Sequence, residues 1–132
     1  SQEIHTSIDN RMHLFPPQNF GAVEDGIYRS GLPSELNYRF LESLNLKTVI
    51  ILSPESISIQ FSSFLEDFGI SVIYIQNDAN DGFRGLSPVA EESVIEALHV
   101  LTNRSNLPVL LTCRTGKNLT GTIELYYEYI YM

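Results

Sequence analysis

Pro108-Val109-Leu110-Leu111-Thr112-Cys113-Arg114-Thr115-Gly116-Lys117-Asn118-Leu119-Thr120-Gly121 is an apolar run that gives way to a polar loop. Pro108 to Thr112 predicts a short strand in the sheet interior. The loop after it predicts entry into a final helix from about residue 120. A loop that enters a helix N-terminus aims backbone N–H groups at one spot, and that spot favours an anion. Ligands of open α/β sheets bind at the carboxyl ends of strands, which is where Cys113 falls. A thiolate placed there is stabilised by the same donors, so Cys113 is a candidate nucleophile at an anion site. The bland alternative is equally physical, because a cysteine after an apolar strand often packs as a small buried hydrophobe.

Upstream, the hydrophobic period switches back and forth between strand and helix. Residues 1–14 show no clean period and read as an N-terminal arm, with Pro16-Pro17 forcing an extended entry into a domain over residues 15–132. Val23-Glu24-Asp25-Gly26-Ile27-Tyr28-Arg29 predicts a tight strand–turn–strand, since Asp-Gly suits a two-residue hairpin turn. Ser34 is placed to cap a helix over about 35–45, whose apolar positions are Leu36, Phe40, Leu41 and Leu44. Lys47-Thr48-Val49-Ile50-Ile51-Leu52 predicts a strand buried on both faces. Phe61, Phe64, Leu65 and Phe68 fall at helical spacing before Gly69, a helix stop. Ser71 to Ile75 is the next strand, and residues 77–87 form a polar loop. Ser87-Pro88 opens another helix with Val94, Ala97, Leu98 and Leu101 as its buried stripe. Strands alternating with helices predict an α/β domain with a mostly parallel central sheet flanked by helices.

Composition narrows the function. A chain of 132 residues makes one domain with one ordinary core. Its single cysteine excludes an internal disulfide and a Cys-rich zinc site. With 8 Lys+Arg against 16 Asp+Glu and a net charge of −8, neither a nucleic acid nor an anionic membrane is an expected partner. No apolar run reaches the ~18 residues of a membrane span. No signal peptide is visible at Ser1-Gln2-Glu3, and a lone cysteine suits a reducing compartment, so the expected location is cytoplasmic. His5, His13 and His99 have no ligand spacing; no metal and no cofactor is expected.

Several motifs carry a resemblance: Pro16-Pro17-Gln18-Asn19-Phe20-Gly21-Ala22-Val23, Gly26-Ile27-Tyr28-Arg29-Ser30-Gly31-Leu32-Pro33, Asn37-Tyr38-Arg39-Phe40-Leu41, Leu46-Lys47-Thr48-Val49-Ile50 and Ser53-Pro54-Glu55. Together they resemble the plant and fungal atypical dual-specificity phosphatases over about residues 15–126. That family includes inositol-pyrophosphate phosphatases and fungal subunits linked to oxidant-induced cell-cycle arrest. The resemblance implies the cysteine-phosphatase fold and a Cys-x5-Arg loop, usually with His before the cysteine and Thr-Gly after the arginine. It also implies further closing helices, so the chain reads as truncated at its C-terminus.

The residues depart from that pattern where the chemistry is most demanding. The sixth position after Cys113 is Leu119, so the arginine that would grip two phosphoryl oxygens is absent. Thr112 stands in place of the histidine, and Thr115 and Asn118 stand where an arginine and a histidine are usual. Cys113, Gly116, Lys117, Thr120 and Gly121 keep the pattern, with Thr120 placed to bond the sulfur. The expected phosphate-binding set is therefore Arg114, Thr115, Gly116, Lys117, Asn118 and Leu119, with Arg114 projecting outward and Lys117 as the best remaining cation. Arg29 is read as structural, pairing with carboxylates and fixing its turn. For the general acid, Asp78, Asp81, Glu91 and Glu92 all qualify, Asp81 being the one taken, while acids in a loop and first helical turn also serve simply as solvated or capping groups.

Three functions compete on these residues. The leading one is a phosphatase-fold protein with impaired or absent turnover, a pseudophosphatase that binds a phosphorylated small molecule or phosphoprotein or scaffolds related subunits. The second is an active cysteine phosphatase on inositol pyrophosphates or phosphotyrosine, working through a thiophosphate intermediate. The third is a sulfurtransferase, since Cys113-Arg114-Thr115-Gly116 is similar to the active loop of rhodanese-type enzymes, which need no sixth-position arginine. Tyr126, Tyr127, Tyr129, Ile130, Tyr131 and Met132 make the final helix aromatic around most of its circumference, an expected docking face for related phosphatase-fold subunits.

Overall fold

The computed structural model describes residues 14–52, 56–75 and 88–114, together with Ile123 and Tyr127. The chain runs through β1 (Gly21–Glu24), β2 (Ile27–Gly31), a 3-10 turn (Glu35–Asn37), α1 (Tyr38–Ser43), β3 (Thr48–Leu52), α2 (Ile59–Asp67), β4 (Ser71–Ile75), α3 (Pro88–Leu101), a second 3-10 turn (Arg104–Asn106) and β5 (Val109–Cys113). The strands form one sheet in the order β1-β2-β5-β3-β4. β2, β5, β3 and β4 are parallel, and β1 pairs with β2 antiparallel across the Asp25-Gly26 turn, where Gly26 takes a φ of 84°.

Chain direction explains the layering. From β2 to β3 to β4 the strands step toward one edge, and the path then reverses to insert β5 between β2 and β3. Parallel crossovers are right-handed, so a reversal of direction moves the connecting helix to the opposite face. α1 and α2 accordingly cover one face and α3 the other. The strand pleat sorts the core in the same way. Ile50, Leu52, Val109 and Leu111 pack with Val94, Ala97, Leu98 and Leu101 of α3, while Val49, Ile51 and Leu110 pack with Leu41, Phe61, Phe64 and Leu65 of α1 and α2. Ile123 and Tyr127, both helical, are buried in the α3 layer. All five residues of β3 and of β5 are buried, as the unbroken apolar runs require of strands covered on both faces.

Two expected helix faces turn out differently. Leu36 lies in the 3-10 turn and is 65% exposed, because the tighter winding there rotates it off the stripe shared by Phe40, Leu41 and Leu44. Phe68 is the residue at which α2 ends, with φ −98° and ψ 8°, and its ring is 51% exposed while Gly69 reverses the chain at φ 63°. Tyr38 stacks on Phe64 at 4.7 Å between ring centroids. Burial pushes its phenol above the ordinary value, opposed by the Ser58 side chain and reinforced by the charge of Glu35.

Candidate phosphate site at the end of the central strand

β5 occupies the middle of the sheet, and Cys113 is its last residue, in register with Gly31 on β2 and Leu52 on β3. The position is the one anticipated from the strand-to-loop reading. Cys113 is 6% exposed and belongs to the core layer under α3. Both sequence readings of the cysteine thus meet in one place, since it packs as a hydrophobe and also stands where the strand opens into the loop.

Thr112 faces the other way. By the alternation along β5 it lies on the α1/α2 face, in register with Ser30 and Ile51. It is fully buried, and its Oγ1 has no hydrogen-bond partner among the described residues. Ser30, next to it and equally buried, donates its hydroxyl to its neighbour's carbonyl at Gly31 (2.8 Å). Among the described residues, the side chain before the cysteine is therefore a hydroxyl without a partner, on the face of the sheet opposite Cys113.

Arg114 is exposed. Its backbone carbonyl accepts a bond from Nε2 of Gln18 (3.4 Å). Gln18 is also tied through its main chain, because Gly31 donates its N–H to the Gln18 carbonyl (2.8 Å). The segment carrying Gln18 is a reverse turn closed by Phe20 N–H to Pro17 O (3.2 Å), with Asn19 in the left-handed region at φ 55°. Upstream, Asn37 anchors it by donating Nδ2 to the carbonyls of Phe15 (3.0 Å) and Pro16 (3.2 Å), while Asn37 Oδ1 accepts the Ser34 N–H (2.9 Å). Residues 15–20 thus form a strap from the start of α1 to the carboxyl ends of β2 and β5. Sequence reading assigned no role to Gln18, and where it took Pro16-Pro17 as an extended entry the structure closes a turn from Pro17 to Phe20.

Thr115, Gly116, Lys117, Asn118, Leu119, Thr120 and the acid candidates Asp78 and Asp81 lie outside the described residues. Glu92 is exposed in the first turns of α3, consistent with a solvated carboxylate at a positive helix end; the side chain of Glu91 is not among those described. Arg29 lays its guanidinium across the partner strand: a Cβ on Gly21 would come within 3.2 Å of its Nε and Nη2. That placement sets the guanidinium beside β1. His99 is exposed on α3, and the described residues hold no group of three or more His, Cys, Asp or Glu arranged to ligate a metal. No helix among them is long and apolar enough to cross a membrane.

Known proteins share this fold. A family described as "Tyrosine phosphatase family" matches residues 14–124. A Dictyostelium discoideum protein, DG1060, is 44% identical over 111 residues, covering 84% of this chain and 66% of its own length. Inositol diphosphatase DSP3 of Arabidopsis thaliana is 40% identical over 124 residues, covering 91% of this chain and 58% of that protein. The chain thus spans less than two thirds of either relative. Among solved structures, the core catalytic domain of the PP-IP phosphatase SIW14 from S. cerevisiae superposes with a TM-score of 0.75 at 31% identity, covering 84% of this chain and 65% of that one.

Proposed function

This chain belongs to the tyrosine phosphatase family, and on that premise we propose that it is a phosphatase-fold protein whose turnover is impaired and which holds a phosphorylated ligand at the end of β5. The observation that carries the reading is Leu119 at the sixth position after Cys113. Phosphoryl transfer to a thiolate needs an in-line sulfur, N–H donors and a planar cation on the transferring oxygens, and an acid for the leaving oxygen. Cys113 at the carboxyl end of the central strand suits the first requirement. Leucine cannot serve as the planar cation, and Lys117 brings a point charge rather than a two-pronged fork. Loss of even one oxyanion donor costs a factor of ~10²–10³ in rate, whereas ground-state holding of an anion by a lysine and backbone donors survives it. Thr112 adds to the deficit, because its hydroxyl lies on the sheet face opposite the sulfur and gives the thiolate no bond.

The ligand class follows from relatives: the plant protein is named an inositol diphosphatase and the yeast structure a PP-IP phosphatase, which favours an inositol pyrophosphate over a phosphotyrosine peptide. Phosphate release from both substrates is the test. The wild-type rate is expected to sit at the level of Cys113→Ala, and Leu119→Arg is expected to raise it. Wild-type turnover at the rate of active relatives, abolished in Cys113→Ala, overturns the reading.

A second reading keeps full activity, and the 40% identity to an inositol diphosphatase favours it. The Cys113 sulfur would attack phosphorus, forming the S–P bond as the P–O bond breaks and an acid protonates the leaving oxygen. Water would then cleave the thiophosphate to inorganic phosphate. Its signature is a phosphocysteine trapped at Cys113 from a substrate with a good leaving group.

A further inference from the structure

We propose that Gln18 is a positioning residue for the phosphate site, setting the chain's exit from β5 from a turn 96 residues away in sequence. The inference rests on the reading of that exit as an anion site. Gln18 reaches both strands that flank the exit. Its carbonyl accepts the N–H of Gly31, the β2 residue in register with Cys113, and its side-chain amide donates to the carbonyl of Arg114, the residue after Cys113. A single residue thus ties the end of β2 to the first peptide beyond β5.

The turn that presents it is built in advance. Pro17 fixes one φ, Asn19 takes the left-handed conformation that its short amide tolerates, and the Phe20 N–H closes the turn on Pro17. Asn37, nearly buried, holds the approach through the Phe15 and Pro16 carbonyls. Phe20 is packed in turn, its ring stacked on Tyr28 (5.6 Å) and meeting Phe40 edge-on (4.8 Å). The backbone that carries Gln18 is thus held on both sides, and its exposed side chain reaches the Arg114 carbonyl from a fixed origin.

Orientation of that carbonyl matters because one turned toward a bound anion repels it. Gln18 donates to the carbonyl oxygen and so holds it toward the strap. Glutamate has the same shape but no donor at neutral pH, and it sets a carboxylate against the carbonyl.

Gln18→Glu, Gln18→Ala and Gln18→Lys separate these effects, with tungstate as the oxoanion probe. In the Glu and Ala variants tungstate affinity is expected to fall by about two- to tenfold, the range of one neutral hydrogen bond. The Arg114 carbonyl 13C resonance is expected to move upfield as its bond is lost, with the melting temperature unchanged. Gln18→Lys keeps an N–H donor and is expected to restore the resonance. An Arg114 resonance that does not move in Gln18→Glu overturns the proposal, as does a moved resonance with unaltered tungstate affinity. If wild-type protein binds no tungstate yet the resonance responds, the anion reading falls while the placement of Arg114 by Gln18 stands.

Discussion

Replacing Thr112 by valine removes one hydroxyl and keeps the branched shape. Thr112 is fully buried in the central strand, and its Oγ1 meets no partner among the described residues. A buried hydroxyl left without a hydrogen bond costs about 1–3 kcal/mol relative to its hydrated state in the unfolded chain. The surroundings suit a methyl group, since Ile51 lies in register on β3 and Leu110 precedes it on the same face. Threonine and valine have similar strand preference, so the backbone contributes little to the difference. We expect Thr112→Val to stabilise the fold by about 1–2 kcal/mol. For 132 residues, at about 2.1 cal/mol/K of unfolding entropy per residue, this raises the melting temperature by about 4–7 °C. Thermal unfolding followed by circular dichroism measures it, and urea unfolding with an unchanged slope confirms that only stability moved. A melting temperature that stays level or falls refutes the reasoning, because it means that the hydroxyl is satisfied in the folded protein.

Three further outcomes follow from the same geometry. Asn37→Ala strips the bonds to Phe15, Pro16 and Ser34 from a nearly buried site and is expected to cost about 2–3 kcal/mol, read as a lowered urea midpoint. Gly69→Ala meets no atom within 4 Å, so its expected loss of about 1–2 kcal/mol comes from the left-handed backbone alone; Gly69→Asn should recover part of it. Tyr38 has a phenol held above its ordinary value chiefly by burial, which favours the neutral form in the folded state. Its contribution to stability is therefore complete below the unfolded value and declines as pH rises through the raised one. Wild-type protein should lose stability there faster than Tyr38→Phe, and parallel losses would contradict this.

Much of the fold is legible because each strand carries its own signal. Thr48–Leu52 and Val109–Cys113 are unbroken runs that only a doubly covered strand accommodates, and Asp25-Gly26 marks the hairpin by composition. The misplaced faces belong to residues whose fate depends on distant partners. Leu36 fits the helical period of its neighbours, yet Asn37 is drawn inward by carbonyls of residues 15 and 16, and the 3-10 turn beside it sends Leu36 to solvent. Phe68 falls seven residues after Phe61, but periodicity holds only while the helix does, and the backbone leaves it at that residue. In the site, Cys113 is recoverable from local pattern since strand end and loop are adjacent in sequence. Gln18 is not, because its partner is Arg114 and nothing between them encodes the meeting. Thr112's orientation follows from alternation, whereas its lack of a partner among the described residues depends on the neighbouring strands.

The pleat of β5 makes chain neighbours into thermodynamic strangers. Thr112 answers to the layer beneath α1 and α2, and Cys113 to the layer beneath α3. Their side chains enter different layers, so a change at one reaches the other through the strand they share rather than through common packing. A substitution at Thr112 is thus felt beneath α1 and α2, and one at Cys113, itself a core residue, beneath α3.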